Sequence, residues 1–506
     1  MTHSAIHNRP AALPLSRRDF IARSGEGFGS LALTYLLGTQ SPPAHAGLTG
    51  SSKRVDLLPR ATHFAPPATA VIQLVQTGGP PQMDLFDFKP ELQQRQGQIY
   101  EEKTEALQPG SEGNELLATA STFERYGKCG MELANLIPHI GSIADEICLV
   151  RSAYTGHNNH PEAATMLASG KIFSGRPTLG AWISYALGTE NQNLPAFVVL
   201  RDPEGFSTGG GLMADSGWLP ALYGGTEFNS HGAPVYNLKP PDWMPESVQR
   251  QTLDYLARLN ESHRRKYPFN SELESRIRNY ELAARMQLNA ASVLDLSQES
   301  QETLKLYGLD DPNSWKPIEG GNDQQITPAG YAQRCLMARR LVEAGVRFVQ
   351  VFVGKSQPWD YHSYIHEGLP NMCTVSDRPS AALVKDLKQR GLLDSTIVLW
   401  AGEFGRLPVS QVGQSGGRAR GRDHNKHAAS LWLAGGGFKG GSVYGATDDV
   451  GYKVVDKHFS MPDLMASIAY QMGLDHDQVT YLHAGRDETM TDASVNGAHV
   501  HHEIIN

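Results

Sequence analysis

Thiol groups are scarce in this chain. It has four cysteines among 506 residues, and they lie far apart as Cys129, Cys148, Cys335 and Cys373. No two of them have the Cys-x-x-Cys spacing that is typical of zinc-thiolate and redox sites, and a chain of this length needs no disulfide framework. The pattern excludes a disulfide-stapled small protein and a thiolate zinc module. It leaves open whether any pair oxidises.

Basic charge and long apolar runs are also missing. The formal net charge is -8, which argues against a general nucleic-acid binder, because such proteins carry a basic stripe. Beyond the N-terminal region, no stretch reaches the ~18 consecutive apolar residues that span a bilayer. Since 40% of the residues are hydrophobic and 19% are charged, we expect a globular protein without a transmembrane segment in its mature part.

The N-terminal region carries a twin-arginine pattern. Ser16–Ile21 reads SRRDFI, a weakly apolar stretch follows to Leu37, and Ala44–Ala46 is a small-residue cleavage site. Glycines and a glutamate at positions 25–29 dilute the apolar stretch, which favours the twin-arginine route. Residues 1–46 are therefore predicted to be a signal peptide that directs export to the periplasm, with the twin-arginine translocase as partner. The alternative is a chance Arg-Arg pair in a disordered tail.

The mature part alternates strands with helices. This order predicts βαβ units around a mainly parallel sheet. We expect a linker over 47–67, an α/β domain over 68–490 with a helical insertion at about 241–312, and a C-terminal tail over 491–506. Strands are expected at 71–76, 147–150, 195–200, 347–353, 395–401 and 428–434, and helices at 133–143, 161–168, 331–344, 380–390 and 462–472.

Acidic, histidine and arginine side chains gather where these strands end. In parallel sheets the polar groups beyond the carboxyl ends of the strands build the site. Any one of them alone is more often a structural or surface residue, but five such groups indicate a shared metal or anion site. Carboxylates and imidazoles without thiolates suit zinc, manganese or iron, and arginines suit an oxyanion such as phosphate or sulfate. The residues are Asp84, Asp87, Arg151, His157, His160, Asp360, His362, Glu403, Arg406, Arg422 and His424.

In these residues the chain resembles the bacterial family called domain of unknown function 1501, a sulfatase-like branch of the alkaline phosphatase superfamily. The resemblance extends from about 68 to 490. It implies a three-layer α/β/α sandwich around a large, mostly parallel sheet with a helical insertion. The matching motifs are Gly78–Pro80 with Asp84–Asp87, Trp359–His362, Gly402–Arg406, Gly421–His424 and Leu433–Gly437.

The resemblance also implies a set of metal ligands. Asp360 and His362 match one Asp/His pair of the superfamily, and His424 matches its late histidine. Glu403 stands where the aspartate of an Asp-His pair is found, but Phe404 replaces the histidine. Asp84 is a looser match to the acid after the first strand. The expected cofactor is a divalent metal: zinc, with manganese, calcium or iron as alternatives.

The nucleophile departs from the sulfatase pattern. Sulfatases begin a helix with Cys or Ser in a Cys/Ser-x-Pro-x-Arg context that is modified to formylglycine, and none of the four cysteines has that context. His160 falls at this position instead. It is expected to act as a phosphoryl-accepting nucleophile, a metal ligand or a general acid, with the hydroxyls of Ser152 and Thr155 as other possible nucleophiles.

These features predict an exported, metal-dependent hydrolase of sulfate, phosphate or related esters without a formylglycine nucleophile. Its substrate would be a small-molecule or glycan ester. His160 or His157 would protonate the leaving group or attack, and Arg151 or Arg406 would neutralise the developing oxyanion. The alternative is a catalytically degenerate sulfatase-like fold that acts as a binding or scaffold protein. The oligomeric state stays open.

Overall fold

A computed structural model describes residues 55–229, 243–267, 270–321, 324–412 and 419–506. The predicted signal peptide, residues 1–46, lies outside these residues and stays a prediction. Residues 55–506 form one compact unit, and it is the unit described below.

A nine-stranded sheet lies at the centre of this unit. In the order of the sheet, the strands are β8-β2-β7-β6-β1-β5-β3-β4, and β9 also pairs with β2. Neighbouring strands run parallel except β7, which is antiparallel to both β6 and β2. The bounds are β1 Ala70–Val75, β2 Ile147–Tyr154, β3 Phe197–Leu200, β4 Thr226–Phe228, β5 Phe348–Phe352, β6 Thr396–Ala401, β7 Ala429–Ala434, β8 Ser442–Tyr444 and β9 Phe459–Ser460.

The central strands are short apolar runs that are buried on both faces. Every residue of β1, β5, β6 and β7 is buried, as expected for strands covered by helices on both sides. The sequence therefore shows continuous apolar runs rather than a strict apolar-polar alternation. This is why the strands at 71–76, 347–353, 395–401 and 428–434 were predictable.

Helices cover both faces of the sheet. Gln350 of β5 donates to Gln73 of β1 on the face where Phe197 packs against α2. Gln76, three residues further, donates to Tyr331 of α6 on the opposite face. The three-layer α/β/α sandwich is thereby confirmed. The longer helices are α1 His160–Ser169, α2 Leu179–Leu187, α3 Glu246–Lys266, α4 Ser271–Leu294, α5 Gln301–Tyr307, α6 Pro328–Glu343, α7 Ile365–Gln389 and α8 Met461–Gln471.

The stretch at 241–312, where a helical insertion is expected, contains α3, α4 and α5. Leu282 and Met286 of α4 are buried against the domain, whereas Tyr255 and Leu256 of α3 are exposed. Among the described residues, no helix combines the length and apolar character that a membrane span needs.

Two helix predictions were wrong. Residues 133–143 do not form a helix: Met131–Ala134 is a strand paired with Phe123–Tyr126, and a short helix Pro138–Gly141 follows. Helix α7 begins at Ile365 rather than at Ser380. The helix contains two internal prolines. Because proline usually interrupts a helix, the sequence did not predict its first half.

The predicted linker and tail also need correction, because their described residues pack on the domain. Val55 and Leu57 are buried, and Arg60 N–H donates to the carbonyl of Leu187. In the C-terminal segment, His501 is buried and Ile505 forms a β-bridge with Phe438. Residues 55–67 and 491–506 are therefore part of the α/β domain.

Candidate metal centre

Three imidazoles and one carboxylate meet at the edge of the sheet where the parallel strands end. His160 begins α1, Asp360 and His362 follow β5, and His424 precedes β7. Because β7 runs antiparallel to its neighbours, its first residues reach the same edge as the last residues of the other strands. One ligand atom from each of the four side chains lies within 4.8 Å of the others.

The ligand atoms converge on the carboxylate of Asp360. Asp360 Oδ1 lies 2.9 Å from His362 Nε2 and 3.2 Å from His424 Nε2, and these two nitrogens are 3.0 Å apart. Asp360 Oδ2 lies 3.3 Å from His160 Nε2. That nitrogen is buried and makes no hydrogen bond of good geometry within the described part of the chain. Three Nε2 atoms thus face one carboxylate.

The Nδ1 atoms of His362 and His424 point away from Asp360, and each contacts an oxygen that can accept a hydrogen bond but cannot donate one. His424 Nδ1 is 2.7 Å from the carbonyl oxygen of Asn158. His362 Nδ1 is 2.5 Å from Gln411 Oε1, and the Gln411 amide is oriented by its own donation to the carbonyl of Pro109. Each Nδ1 therefore carries the proton, which leaves a lone pair on each Nε2. When both rings are neutral, these lone pairs face each other 3.0 Å apart, and a proton or a metal ion between them removes their repulsion. Gln108 Nε2 also lies 3.3 Å from His362 Nε2.

Glu403 contacts the cluster through His160. His160 Nδ1 lies 2.5 Å from Glu403 Oε1, and the backbone N–H of Gly78 donates to the same carboxylate. A carboxylate behind an imidazole fixes the ring orientation and raises its basicity toward a metal. Phe404 forms a wall, with its ring 4.7 Å from that of His160 and 4.6 Å from that of His424. Glu403 is thus placed to orient a ligand.

The charges around the cluster keep Asp360 ionised and His424 neutral. Burial raises the pKa of Asp360, but the Arg406 guanidinium and the three imidazoles outweigh burial and hold that pKa well below its usual range. Burial lowers the pKa of His160, but the nearby carboxylates of Asp360 and Glu403 outweigh burial and raise it. Burial, with Arg406 and His160, lowers the pKa of His424 to about 4. His424 is therefore neutral at pH 7 and can donate its lone pair.

These side chains fit a divalent metal. Three imidazole nitrogens and a carboxylate oxygen match zinc, and they are also acceptable to manganese or iron. Two observations support the fit. His160 Nε2 is buried without a hydrogen bond to any residue that the structure describes, and the Nε2 atoms of His362 and His424 lie 3.0 Å apart. The residues that would hold the metal are His160, Asp360, His362 and His424.

Two glycines of the motifs allow the loops to approach closely. Gly78 has φ +110°, and a Cβ there would lie 2.5 Å from the backbone nitrogen of Trp359. A Cβ at Gly421 would lie 2.1 Å from the carbonyl carbon of His362. Both distances are far below contact. Side chains at these positions would displace the loop that carries Asp360 and His362.

Several residues of the predicted site lie elsewhere. Asp84 does not join the cluster: it accepts from Arg422 Nε at 2.8 Å and Nη2 at 3.1 Å. Arg406 contacts Asp360, but its Nε, Nη1 and Nη2 already donate to the carbonyls of Gly79, Arg422 and Gly78. These arginines are engaged with protein acceptors, which leaves neither guanidinium open to an oxyanion in this arrangement.

The remaining candidates lie on β2 and in the loop that follows it. Arg151 donates to the carbonyl of Glu132 and lies 3.9 Å from Asp87, so it is not part of the cluster. The hydroxyl of Ser152 donates to the carbonyl of Lys457. The hydroxyl of Thr155 is buried without a hydrogen-bond partner among the described residues. His157 is half-buried, and its Nδ1 accepts from the N–H of Asn159 at 3.0 Å.

Sequence reasoning missed three groups that support the cluster. Gln411 and the carbonyl of Asn158 orient His362 and His424. Asp423 accepts from the backbone N–H groups of Leu107, Gln108 and His424, which fixes the loop before β7. Asp423 stood beside His424 in a motif and could have been singled out. Gln411 carried no local signal.

The placement of Glu403 leads to a testable expectation. Glu403→Gln should weaken zinc binding by about 10–100-fold, the usual effect of removing a carboxylate that orients a metal-bound imidazole. Saturating zinc should restore occupancy. Zinc affinity measured by competition with a chromophoric chelator tests this, with the exposed Glu367→Gln as control. Failure to bind zinc at any concentration would instead make Glu403 a ligand, as the sequence predicts.

Comparison with known proteins points to one family. A family model described as "Protein of unknown function (DUF1501)" matches residues 68–505. No curated protein was found to match the sequence.

Solved structures show only distant likeness to this chain. A protein in the alkaline phosphatase superfamily from Vibrio parahaemolyticus is 10% identical, with 85% of this chain and 74% of that chain covered and a TM-score of 0.35. The PsFucS1 sulfatase from Pseudoalteromonas sp. is 12% identical, with 80% and 68% covered and a TM-score of 0.31. A phosphonate monoester hydrolase from Silicibacter pomeroyi is 11% identical, with 72% of each chain covered and a TM-score of 0.29. With TM-scores below 0.5, these likenesses carry no weight in assigning a function.

Proposed function

We propose that this chain, which belongs to the DUF1501 family, is a metal-dependent hydrolase of sulfate, phosphate or related esters. The observation that supports this proposal is the convergence of three Nε2 atoms and one carboxylate at the carboxyl edge of the parallel sheet. In open α/β sheets this edge is where ligands bind. No formylglycine is needed for such a reaction, because water can serve as the attacking group.

His160, Asp360, His362 and His424 would hold the metal. A bound divalent ion supplies Lewis-acid polarisation of an ester oxygen and acidifies water near neutral pH. The chain's own groups prepare the site for it. Glu403, Gln411 and the carbonyl of Asn158 aim the three imidazoles, and Arg406 balances part of the negative charge of Asp360.

His157 is the group we assign to protonation of the leaving group. The N–H of Asn159 donates to His157 Nδ1, so the proton of the neutral ring lies on Nε2 and can be donated. The next residue, Asn158, contacts His424 through its carbonyl, and this supports a role for His157 near the cluster. His160 would otherwise share this role, but its two nitrogens face Glu403 and Asp360.

Export and substrate class belong to the same proposal. The predicted twin-arginine signal of residues 1–46 supports export to the periplasm, and this route suits a metal centre that is filled before export. The substrate would be a small-molecule or glycan ester that carries a sulfate or phosphate group.

Turnover of model esters tests the hydrolase. Zinc-loaded protein should hydrolyse at least one of an aryl sulfate, a phosphate monoester and a phosphate diester. We expect His362→Ala to lower that kcat/KM by at least about 100-fold, since loss of a ligand should cost at least as much as loss of its orienting partner. His263→Ala, on the exposed face of α3, is the matched control and should leave the rate unchanged. The proposal fails if His362→Ala is as active as the control.

A binding or scaffold protein is the second candidate. The observation that favours it is the engagement of Arg406 and Arg422 by protein acceptors, because a phosphatase or sulfatase usually directs a free guanidinium at its oxyanion. Wild-type protein that binds zinc but hydrolyses none of the three ester classes would support this candidate over the hydrolase.

A further inference from the structure

We propose that Asp463, His499 and His501 form a second divalent-metal site, which joins the C-terminal segment to the first turn of α8. This site shares no residue with the cluster around Asp360. One ligand atom from each of the three side chains lies within 4.8 Å of the others. Asp463 belongs to α8, whereas the two histidines come from the extended segment after the helix Ala493–Asn496.

The two histidines approach the carboxylate from different sides. His499 Nδ1 lies 3.4 Å from Asp463 Oδ1, and His501 Nε2 lies 3.6 Å from Asp463 Oδ2. The two rings are 4.4 Å apart. The two N···O distances to Asp463 are too long for good hydrogen bonds, but they leave room for an ion that contacts all three groups. His499 Nδ1 also lies 3.2 Å from the carbonyl oxygen of Gly497, so binding of a metal there requires the proton of the His499 ring to lie on Nε2.

His501 supplies the strongest indication that an ion binds here. Its side chain is only 5% exposed, and its Nε2 is buried without a hydrogen-bond partner among the described residues. Its Nδ1 lies 2.7 Å from the hydroxyl oxygen of Tyr444, which accepts a hydrogen bond in the tautomer that carries the proton on Nδ1. The lone pair then lies on Nε2, directed toward Asp463. A buried polar atom without a partner is costly, and a metal ion would satisfy it.

Asp463 is fixed in place before any metal binds. Its Oδ2 accepts from the backbone N–H and the hydroxyl of Ser460, in the capping box that begins α8. Its Oδ1 accepts from the backbone N–H of His499. Each carboxylate oxygen has two lone-pair directions, so Oδ1 retains one for a metal.

The ligand set indicates the metal. Two imidazoles and one carboxylate, with His499 exposed to solvent, match a three-ligand zinc site whose fourth position is taken by water. Strand β9, directly before α8, pairs with β2. A metal here would therefore fasten the C-terminal segment to the central sheet.

Zinc stoichiometry tests the site. Full-length protein without an oligohistidine tag is equilibrated with zinc, freed of excess ion and analysed for zinc per chain. His499→Ala should bind about one zinc fewer than wild type. His502→Ala is the control, because His502 is an exposed histidine of the same segment that packs on Tyr470 instead. The comparison does not depend on how much zinc the cluster around Asp360 holds.

The zinc-dependent shift in Tm is a second measurement. It shows whether each variant is folded and whether zinc stabilises the C-terminal segment. Zinc should raise the Tm of wild type and of His502→Ala by a larger increment than that of His499→Ala, and its affinity for this site should fall at least about tenfold in His499→Ala. Equal zinc content and equal zinc-dependent Tm shifts in His499→Ala and His502→Ala would overturn the proposal. The three side chains would then form an imidazolium-carboxylate contact only.

Discussion

Asp360→Asn should remove the bound metal and the hydrolytic activity together, and should lower the free energy of unfolding by about 3–5 kcal/mol. Asp360 is 3% exposed, and its carboxylate contacts all three imidazoles of the cluster. It is also the carboxylate that faces the buried guanidinium of Arg406. Asparagine keeps the shape but has no charge, and an uncompensated buried charge costs about 3–5 kcal/mol.

The two consequences can be measured separately. Zinc content and ester turnover report the loss of the metal. Urea unfolding in the presence of a chelator reports the loss of the Arg406 partner alone, because neither protein then holds metal. Asp487→Asn, an exposed aspartate of the hairpin Thr480–Thr489, is the matched control and should behave as wild type. Retention of wild-type zinc content by Asp360→Asn would exclude this cluster as the metal centre.

The sequence predicted the architecture because the central strands are plain apolar runs. Each run ends at a glycine or a polar residue, so the strands and the loops that follow them could be located without knowing which strands pair with them. The direction of β7 could not be predicted in this way. An apolar hexamer is compatible with either orientation, and the antiparallel pairing with β6 and β2 depends on contacts far along the chain. This pairing is what brings His424, which precedes its strand, to the common edge.

The candidate site was predicted as a set of residue types but not as a set of contacts. Asp360, His362 and His424 meet, and His160 joins them from the start of α1. Which carboxylate orients a histidine and which pairs with an arginine depends on side-chain direction across hundreds of residues. Glu403 and His160, for example, are 243 positions apart in the sequence. Spacing within a motif carries no information about such pairs.

Asp84 shows most clearly that the sequence did not predict which partner a carboxylate has, because it pairs with an arginine and not with the metal cluster. We expect its removal to have the second large effect. Asp84→Ala should lower the free energy of unfolding by about 3–5 kcal/mol while leaving the zinc content of the folded protein unchanged. Asp84 is 1% exposed and Arg422 is fully buried, and they share two N···O contacts of 2.8 and 3.1 Å. Removal of the carboxylate leaves the Arg422 charge in the interior without its counter-ion.

A double-mutant cycle separates the ion pair from other roles of these residues. Asp84→Leu combined with Arg422→Met removes both charges, so it should cost less than the sum of the single changes. It should still cost more than zero, because Arg422 also donates to the carbonyls of Leu117 and Leu407, which would lose their donor. Urea unfolding of the four proteins gives the coupling energy, and zinc analysis of the folded forms gives the second readout. If Asp84→Ala instead loses zinc without losing stability, then Asp84 is a metal ligand. The two measurements distinguish these outcomes, because the ion pair predicts lost stability with unchanged zinc content, whereas a metal ligand predicts lost zinc.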